Sequence, residues 1–591
     1  MSARPRTTQE LIHWLEMGGG ARWVLKGSLL VCGLAVALVV SWRQFHGAAS
    51  EATLLQADMG LQIASGKGFT THVNYPQAVA YLRERGVRFD PATPYPEVYQ
   101  APFYPIVIAA ALSLIPHSTL FAAAPAPPYG YGADYLLLGL NLALFGLAVW
   151  LAFDLARRLF GAPAGWLAAL GLFVSLPLWQ QVVAVNGTTL MMVLVLSAFH
   201  AWWRVESAPD PRSASFPTAA LGALCGLLFL TEYSAGILFL VAAAGVAQRP
   251  GAPGKWRSLA LLAGGFALVS APWVARNLAV TGSPVGLAIQ NMALKAGDTT
   301  AEPAVIRATL SAKLPPLELN KLSNKFLTTI QETLRSRAWS GGAMWFTAFF
   351  AAGWLYVFKA APVNRLRWLF AVSLLALVGS QAAFNSGESE RQAVAWLSPL
   401  VIVFGAGFFF VLLSSNALLG AWPRVCAGAL LTLQALPLAH DALDPHWLHF
   451  QYPPYFPQLM QGMCRQLDAS DSAGRFGLMA DVPAGLAWYG QTRVWAQPAT
   501  LRDFYAVQVE QPTGELLLTP KTLDRPFFSD LNAKPKTPGF LTAAIPRIGE
   551  WGEVYGGLLT GSFPREFPLS APRKVTDDLY VLFNSSLSSG R

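Results

Sequence analysis

The stretch Ala101-Pro102-Phe103-Tyr104-Pro105-Ile-Val-Ile-Ala-Ala-Ala-Leu-Ser-Leu-Ile115 decides how the rest of the chain is read. It is apolar, yet at about 15 residues it falls short of the roughly 20 that a straight helix needs to cross a hydrocarbon core. Counted as a span, it would invert the sidedness of Arg157, Arg158 and every later basic loop. Laid on the membrane surface as an interfacial or re-entrant helix, it leaves one consistent topology. Outward from it, eleven apolar runs fall near 24–42, 134–155, 163–180, 187–203, 217–231, 234–247, 258–275, 342–358, 367–384, 393–413 and 424–439. Several are shorter than a straight span needs, which predicts broken helices among them.

With the N-terminus inside, the inner loops carry Arg4, Arg6, Arg22, Arg157, Arg158, Arg204, Arg212, Arg249, Lys255, Arg257, Lys359, Arg365, Arg367 and Arg424, while the short outer loops carry only Arg391. That bias predicts N-terminus in, C-terminus out and an odd number of spans. Two long loops, about 43–133 and 276–341, then face the same outer compartment as the tail. The expected architecture is a polytopic α-helical membrane protein of about eleven spans over 1–439, with a C-terminal soluble α/β domain over 440–591.

Composition agrees. The chain has 591 residues, of which 53% are hydrophobic and 13% charged. An ordinary soluble domain carries roughly 25% charged residues. The net charge of +9 does not point to nucleic acid, because the tail from His440 holds 13 Lys and Arg against 15 Asp and Glu, so the positive excess sits in the membrane part and reports topology. Of four cysteines, Cys32, Cys225 and Cys426 lie in apolar runs and Cys464 in the tail, which excludes a disulfide framework.

If there is chemistry, it belongs outside, since the inner loops are short. After the first run, residues 51–64 read as an amphipathic helix closed by Gly66 and Gly68, with Glu51 and Asp58 two turns apart on one face. At the membrane boundary such a carboxylate can deprotonate an acceptor or anchor a divalent cation against a phosphate; a solvated face fits the spacing equally well. Tyr99 and Tyr104 lie in the aromatic and proline segment that opens the interfacial helix. Arg276 and Asn277 end the seventh run, where a cation either snorkels to water or binds a lipid phosphate. Arg391 stands between that role and an ion pair with Glu388 or Glu390. Glu232 sits between two short runs and reads more readily as a structural partner. His446 and His449, spaced i, i+3, are a weak metal pair among Trp447, Phe450, Tyr452 and Tyr455, which look more like an interfacial belt. In the tail, Met479 to Arg493 reads as a strand, a turn at Asp481-Val482-Pro483 and a helix.

Taken in order, the acidic residue of the first outer loop with its Gly66-Lys67-Gly68-Phe69 close, Pro102-Phe103-Tyr104-Pro105, Ala156-Arg157-Arg158-Leu159-Phe160-Gly161, Leu230-Thr231-Glu232-Tyr233 and Ala271-Pro272-Trp273-Val-Ala-Arg276-Asn277 with Gly282-Ser283-Pro284 resemble membrane glycosyltransferases of the type-C fold. Within these they resemble the branch of aminoarabinose transferase and the protein O-mannosyltransferase-like bacterial enzymes, over about residues 24–413. The resemblance implies inverting transfer of a sugar from a polyprenyl-phosphate carrier to a lipid, glycan or protein acceptor, at the periplasmic face of a cytoplasmic membrane. It implies Asp58, with Glu51 as fallback, at the catalytic centre, and Arg276 and Arg391 on the carrier phosphate. A divalent cation, Mg or Mn, is left open as cofactor, with Asp58 as its anchor. Two positions depart from the pattern: Asn186-Gly187-Thr188 stands where many relatives have an acidic residue, and Gln100-Ala101 where a basic one is frequent. The alternative is a catalytically silent relative that serves as a scaffold subunit of an envelope complex.

Overall fold

The structure, a computed structural model, describes residues 19–48, 50–88, 90, 93–122, 130–210, 212–249, 254–293, 306–335, 341–384, 392–415, 420–443, 455–471, 474–523, 551–576 and 579–588. It is a multi-pass membrane architecture: among the described residues, seven helices are long and apolar enough to cross a membrane, or eight if one bent pair counts as a span. The bent pair is Ala162–Phe173 and Leu176–Val183, which meet at 56°. The cause is local. Ser175 is extended and Pro177 stands in the first turn of the second helix, so the helix cannot run through. Three other expected runs are shorter helices, Ser215–Thr231, Tyr233–Ala247 and Trp345–Leu355. The first two are separated by Glu232, whose backbone is extended at φ −149°. The stretch that opened the sequence reading forms the 10-residue helix Phe103–Leu112, too short to span.

Close crossings hold the bundle where side chains are absent. Helices Ser215–Thr231 and Lys255–Thr281 pack so tightly that a Cβ on Gly222 would sit 2.0 Å from the Leu262 carbonyl oxygen, and one on Gly265 would sit 2.1 Å from that of Ala219. Small residues at such crossings let backbones approach and gain dispersion contacts that lipid cannot supply.

Beyond the helix ends lies a six-stranded sheet. Its strands are β2 (Val73–Asn74), β4 (Gly477–Ala480), β5 (Val494–Ala496), β6 (Thr513–Leu518), β7 (Ala571–Thr576) and β8 (Leu579–Phe583), ordered β2-β5-β4-β6-β8-β7. The run β2-β5-β4-β6 is parallel, and β8 and β7 add antiparallel edges. The expected strand, turn and helix after Met479 appear as β4 and the helix Pro483–Gly490. Strand β2 comes from the first long loop, so the sheet is assembled from that loop as well as the tail. The remaining loop strands, β1 (Thr70–Thr71) and β3 (Tyr95–Pro96), pair with each other. The tail is further tied to the bundle at Asp134, which accepts from Trp488 Nε1 at 3.0 Å and Tyr489 Oη at 2.8 Å.

Candidate functional site

Where Glu232 interrupts its helix pair, a cavity of about 180 Å³ opens between the bundle and the first loop. Its walls come from Ser50, Ala52, Thr53 and Gln56, Tyr99 to Ala101, Asn186 to Thr188, Met191, Thr231 to Ser234, Ala288, Asn291, Arg307, Phe384 and Trp396. Its residues at helix ends lie opposite basic ones: Thr188 opens the helix that carries Arg204 near its other end, Ser234 precedes the helix that Arg249 follows, and Phe384 ends the helix that carries Arg365 near its start. The cavity thus belongs to one face of the bundle, the face that the distribution of basic residues predicts to be outer. Both departures noted in the sequence, Asn186-Gly187-Thr188 and Gln100-Ala101, line it.

Its charge is sparse. Among the lining residues Glu232 is the one carboxylate and Arg307 the one cation. Glu232 accepts from Ser234 Oγ at 2.7 Å and Gln381 Nε2 at 2.6 Å, which holds its carboxyl at the helix break. Arg307 stacks its guanidinium over the Tyr99 ring, 4.6 Å from the centroid, with Tyr75 at 5.8 Å. The segment that carries it is fixed to the tail, because Ala499 N donates to Ala308 O at 2.8 Å and Leu310 N to Asp503 Oδ2 at 3.1 Å. One wall is strained: Val185 has φ 47°, a left-handed conformation that a β-branched residue adopts only when its surroundings enforce it. Tyr104 supplies part of that enforcement by donating its hydroxyl to Val185 O at 2.7 Å.

The sequence candidates divide sharply. Glu51 and Asp58 do share a helix face, on Glu51–Ala64, but that face turns to the sheet. At about 100° per residue, Glu51, Leu55, Asp58 and Gln62 fall on one side and Ala52, Thr53 and Gln56, which line the cavity, on the other. Asp58 is wholly buried. Its Oδ2 accepts from Thr71 Oγ1 at 2.9 Å and His72 N at 2.8 Å, and its Oδ1 lies 2.6 Å from His72 Nδ1. It lines neither the larger cavity nor the smaller one that Glu51 lines, and its carboxyl is held inside the loop. Glu51 accepts from Ala484 N at 3.1 Å and lines a second, smaller cavity of about 40 Å³ against the tail.

Arg276 is also turned away from the larger cavity. Its guanidinium donates to Glu97 O at 2.7 Å, Phe69 O at 3.1 Å and Asn277 Oδ1 at 3.0 Å, and it lies 4.8 Å over the Trp273 ring. It clamps the first loop to the bundle. Asn277 donates to Pro284 O at 3.2 Å, closing the turn that follows. Tyr99 lines the cavity and donates to Gln77 Oε1 at 3.1 Å; Tyr104 stands behind the wall. Arg391, His446 and His449 lie outside the described residues.

Behind the cavity Glu97 is almost fully buried and accepts from Tyr99 N at 2.7 Å and Gln100 N at 3.0 Å. Burial pushes its carboxyl above the usual range, against those two N–H groups and the fields of Arg307 and Arg276. A divalent cation is not matched by this set. Among the described residues no three His, Cys, Asp or Glu side chains gather as ligands. Asp58 has a single such neighbour, His72, and its oxygens are already engaged.

The residues that sequence reasoning missed are Arg307 and, as a cavity wall, Glu232. Glu232 was visible as a carboxylate at a membrane edge. Arg307 had no signal beyond its position in the second long loop.

No family model matches the chain, and no curated protein is similar to it in sequence. Solved structures are similar in shape. ArnT from Cupriavidus metallidurans bound to undecaprenyl phosphate superposes with a TM-score of 0.50 at 14% identity, over 95% of this chain and 99% of that one. The Archaeoglobus fulgidus oligosaccharyltransferase in its apo form has a TM-score of 0.46 at 13% identity, over 87% of this chain and 72% of that one. At these identities the likeness speaks for architecture alone, and the first match carries it: the chain has the type-C fold of the membrane glycosyltransferase ArnT.

Proposed function

We propose that the protein is an inverting glycosyltransferase that takes a sugar from a polyprenyl-phosphate carrier in the larger cavity, on the outer face of the membrane. The observation that carries this reading is the cavity itself: it lies on one face, between lipid-facing helices and a polar loop, with a single guanidinium on its wall. An isoprenoid donor needs this combination, because its chain stays in lipid while its phosphate needs a fixed cation. The likeness to ArnT bound to undecaprenyl phosphate supports the same choice of donor.

In this reading Arg307 holds the phosphate. The acceptor hydroxyl or amine attacks the anomeric carbon from the side opposite the phosphate oxygen. The bond from that carbon to the phosphate oxygen breaks, its electron pair leaves with the polyprenyl phosphate, and the acceptor proton passes to Glu232. Asp58 acts as a positioning residue that fixes the turn at Thr71 and His72, with Arg276 clamping the same loop. The silent-scaffold alternative has one observation in its favour: the first-loop helix presents Ala52, Thr53 and Gln56 to the cavity and keeps both its carboxylates away.

The test is transfer from undecaprenyl-phosphate sugars by the full chain in proteoliposomes. Loss of a charge-assisted phosphate contact is worth about 1.5–3 kcal/mol, so Arg307→Met is expected to lower transfer by roughly 10- to 100-fold. Transfer that is absent in wild type with every donor supplied supports the scaffold. Transfer undiminished in Arg307→Met removes Arg307 from the site.

A further inference from the structure

The chain leaves β4 toward β5 on one side and then passes back across β4 to form β6 on the other. Where connections diverge in this way, a crevice opens beyond the carboxyl ends of parallel strands, and open α/β sheets bind ligands there. Asp481 follows β4, Gln497 follows β5 and Lys521 lies just beyond β6. All three line the smaller cavity, of about 40 Å³, which Glu51, Tyr75 and Arg307 close from the opposite side. The volume exceeds the roughly 10–15 Å³ that a cavity needs to hold one water, and so admits a hydroxyl with its carbon.

Among the described residues two buried acceptor atoms on this wall have no hydrogen-bond donor within bonding geometry, Gln497 Oε1 and Asp481 Oδ1, the second with the Thr522 hydroxyl near its carboxyl. Their residues are 3% and 6% exposed. The other half of each side chain is fixed. Asp481 Oδ2 accepts from Thr519 N at 2.9 Å and Thr519 Oγ1 at 3.0 Å, and Gln497 Nε2 donates to Tyr555 Oη at 2.8 Å. Buried acceptors left without donors lose their hydration with nothing in return, and a ligand bringing donors would recover that loss.

The wall charges narrow the ligand. Glu51 and Asp481 oppose a phosphate or carboxylate, while Arg307 and Lys521 oppose an ammonium. A neutral hydroxyl satisfies both sets, since it donates to the acceptors and accepts from the cations, and the Tyr75 ring offers the apolar face that sugar C–H groups favour. Arg307 and Ala52 line both cavities. We propose that the crevice at the carboxyl edge of β4, β5 and β6 is a subsite for a hydroxyl of a carbohydrate acceptor, joined through Arg307 to the cavity that takes the donor. Only the word acceptor rests on the function proposed above; the subsite for a sugar hydroxyl stands on the crevice itself.

The experiment is saturation-transfer difference NMR on the full chain in nanodiscs, with the methyl glycosides of glucose, mannose and galactose, and with ethanolamine and methyl phosphate as charged probes. At least one glycoside is expected to receive saturation, and Gln497→Met and Lys521→Met each to reduce that signal several-fold. Lys521 is exposed, so its replacement leaves folding intact and keeps the test decisive should Gln497→Met fail to fold. The proposal is overturned by no signal from any glycoside, by equal signals in wild type and both variants, or by a stronger signal from either charged probe. Binding of undecaprenyl phosphate to the wild-type protein is measured in parallel. Glycoside signals without carrier binding would remove the donor reading and leave the subsite standing.

Discussion

Asp58 has no exposed surface, and its charge is offset by Thr71, His72 and the His72 backbone N–H. A buried carboxylate so partnered organises its loop, and the cost of losing it falls on folding. Asp58→Asn is expected to destabilise the protein by about 1.5–3 kcal/mol, the worth of hydrogen bonds to a charged group. Thermal unfolding in detergent reads this as a lowered midpoint, while carrier binding stays within about twofold of wild type. Glu515 on β6 behaves differently, because burial pushes its carboxyl from 4.5 up to about 8. A group whose folded value is raised contributes stability that is complete below pH 4.5 and is lost as pH rises through about 8. Unfolding midpoints measured between those limits should therefore fall with rising pH in wild type, and Glu515→Gln should flatten that slope. At this scale the sequence was legible in part. Seven-residue spacing correctly puts Glu51 and Asp58 on one helix face, but spacing carries no sign of which face meets the cavity, because that depends on a sheet formed more than 400 residues away.

Helices were read more securely than strands, for a physical reason. A hydrophobic run over 15–20 residues is a long signal, and a helix or helix pair occupies each of the eleven runs. The bend at Ser175 and the break at Glu232 explain why several ran short. Strand β2 is two residues, Val73–Asn74, too short for any alternation to register, and its partner β5 lies in the tail. The crossing of Ser215–Thr231 with Lys255–Thr281 gives the sharpest test for an element. Adjacent glycines differ completely: a Cβ on Gly265 would collide with Ala219, whereas one on Gly264 meets nothing within 4 Å. Gly265→Leu is expected to destabilise by at least the roughly 1–3 kcal/mol of an overpacked core, and Gly264→Leu to be nearly neutral. Monodispersity and unfolding midpoint after detergent extraction distinguish the two, and equal behaviour would contradict the close crossing.

For the whole molecule, loops that are remote in sequence converge at one end of the bundle. The first loop lends β2 to the tail sheet and the second hangs Arg307 between them. The tail holds both in place through Ala499, Asp503 and Ala484. Sidedness, read from basic residues alone, anticipated that these segments share a face. It did not anticipate that Arg276 would be spent on carbonyl oxygens, or that Arg307 would supply the cavity's cation, since both look alike as isolated arginines in an outer loop. The account turns on where a carrier phosphate binds. Cryo-electron microscopy of the full chain in nanodiscs with undecaprenyl phosphate addresses this directly. The account predicts phosphate density in the larger cavity within hydrogen-bonding reach of the Arg307 guanidinium. Density beside Arg276 or elsewhere on the bundle, with the larger cavity empty, would contradict it.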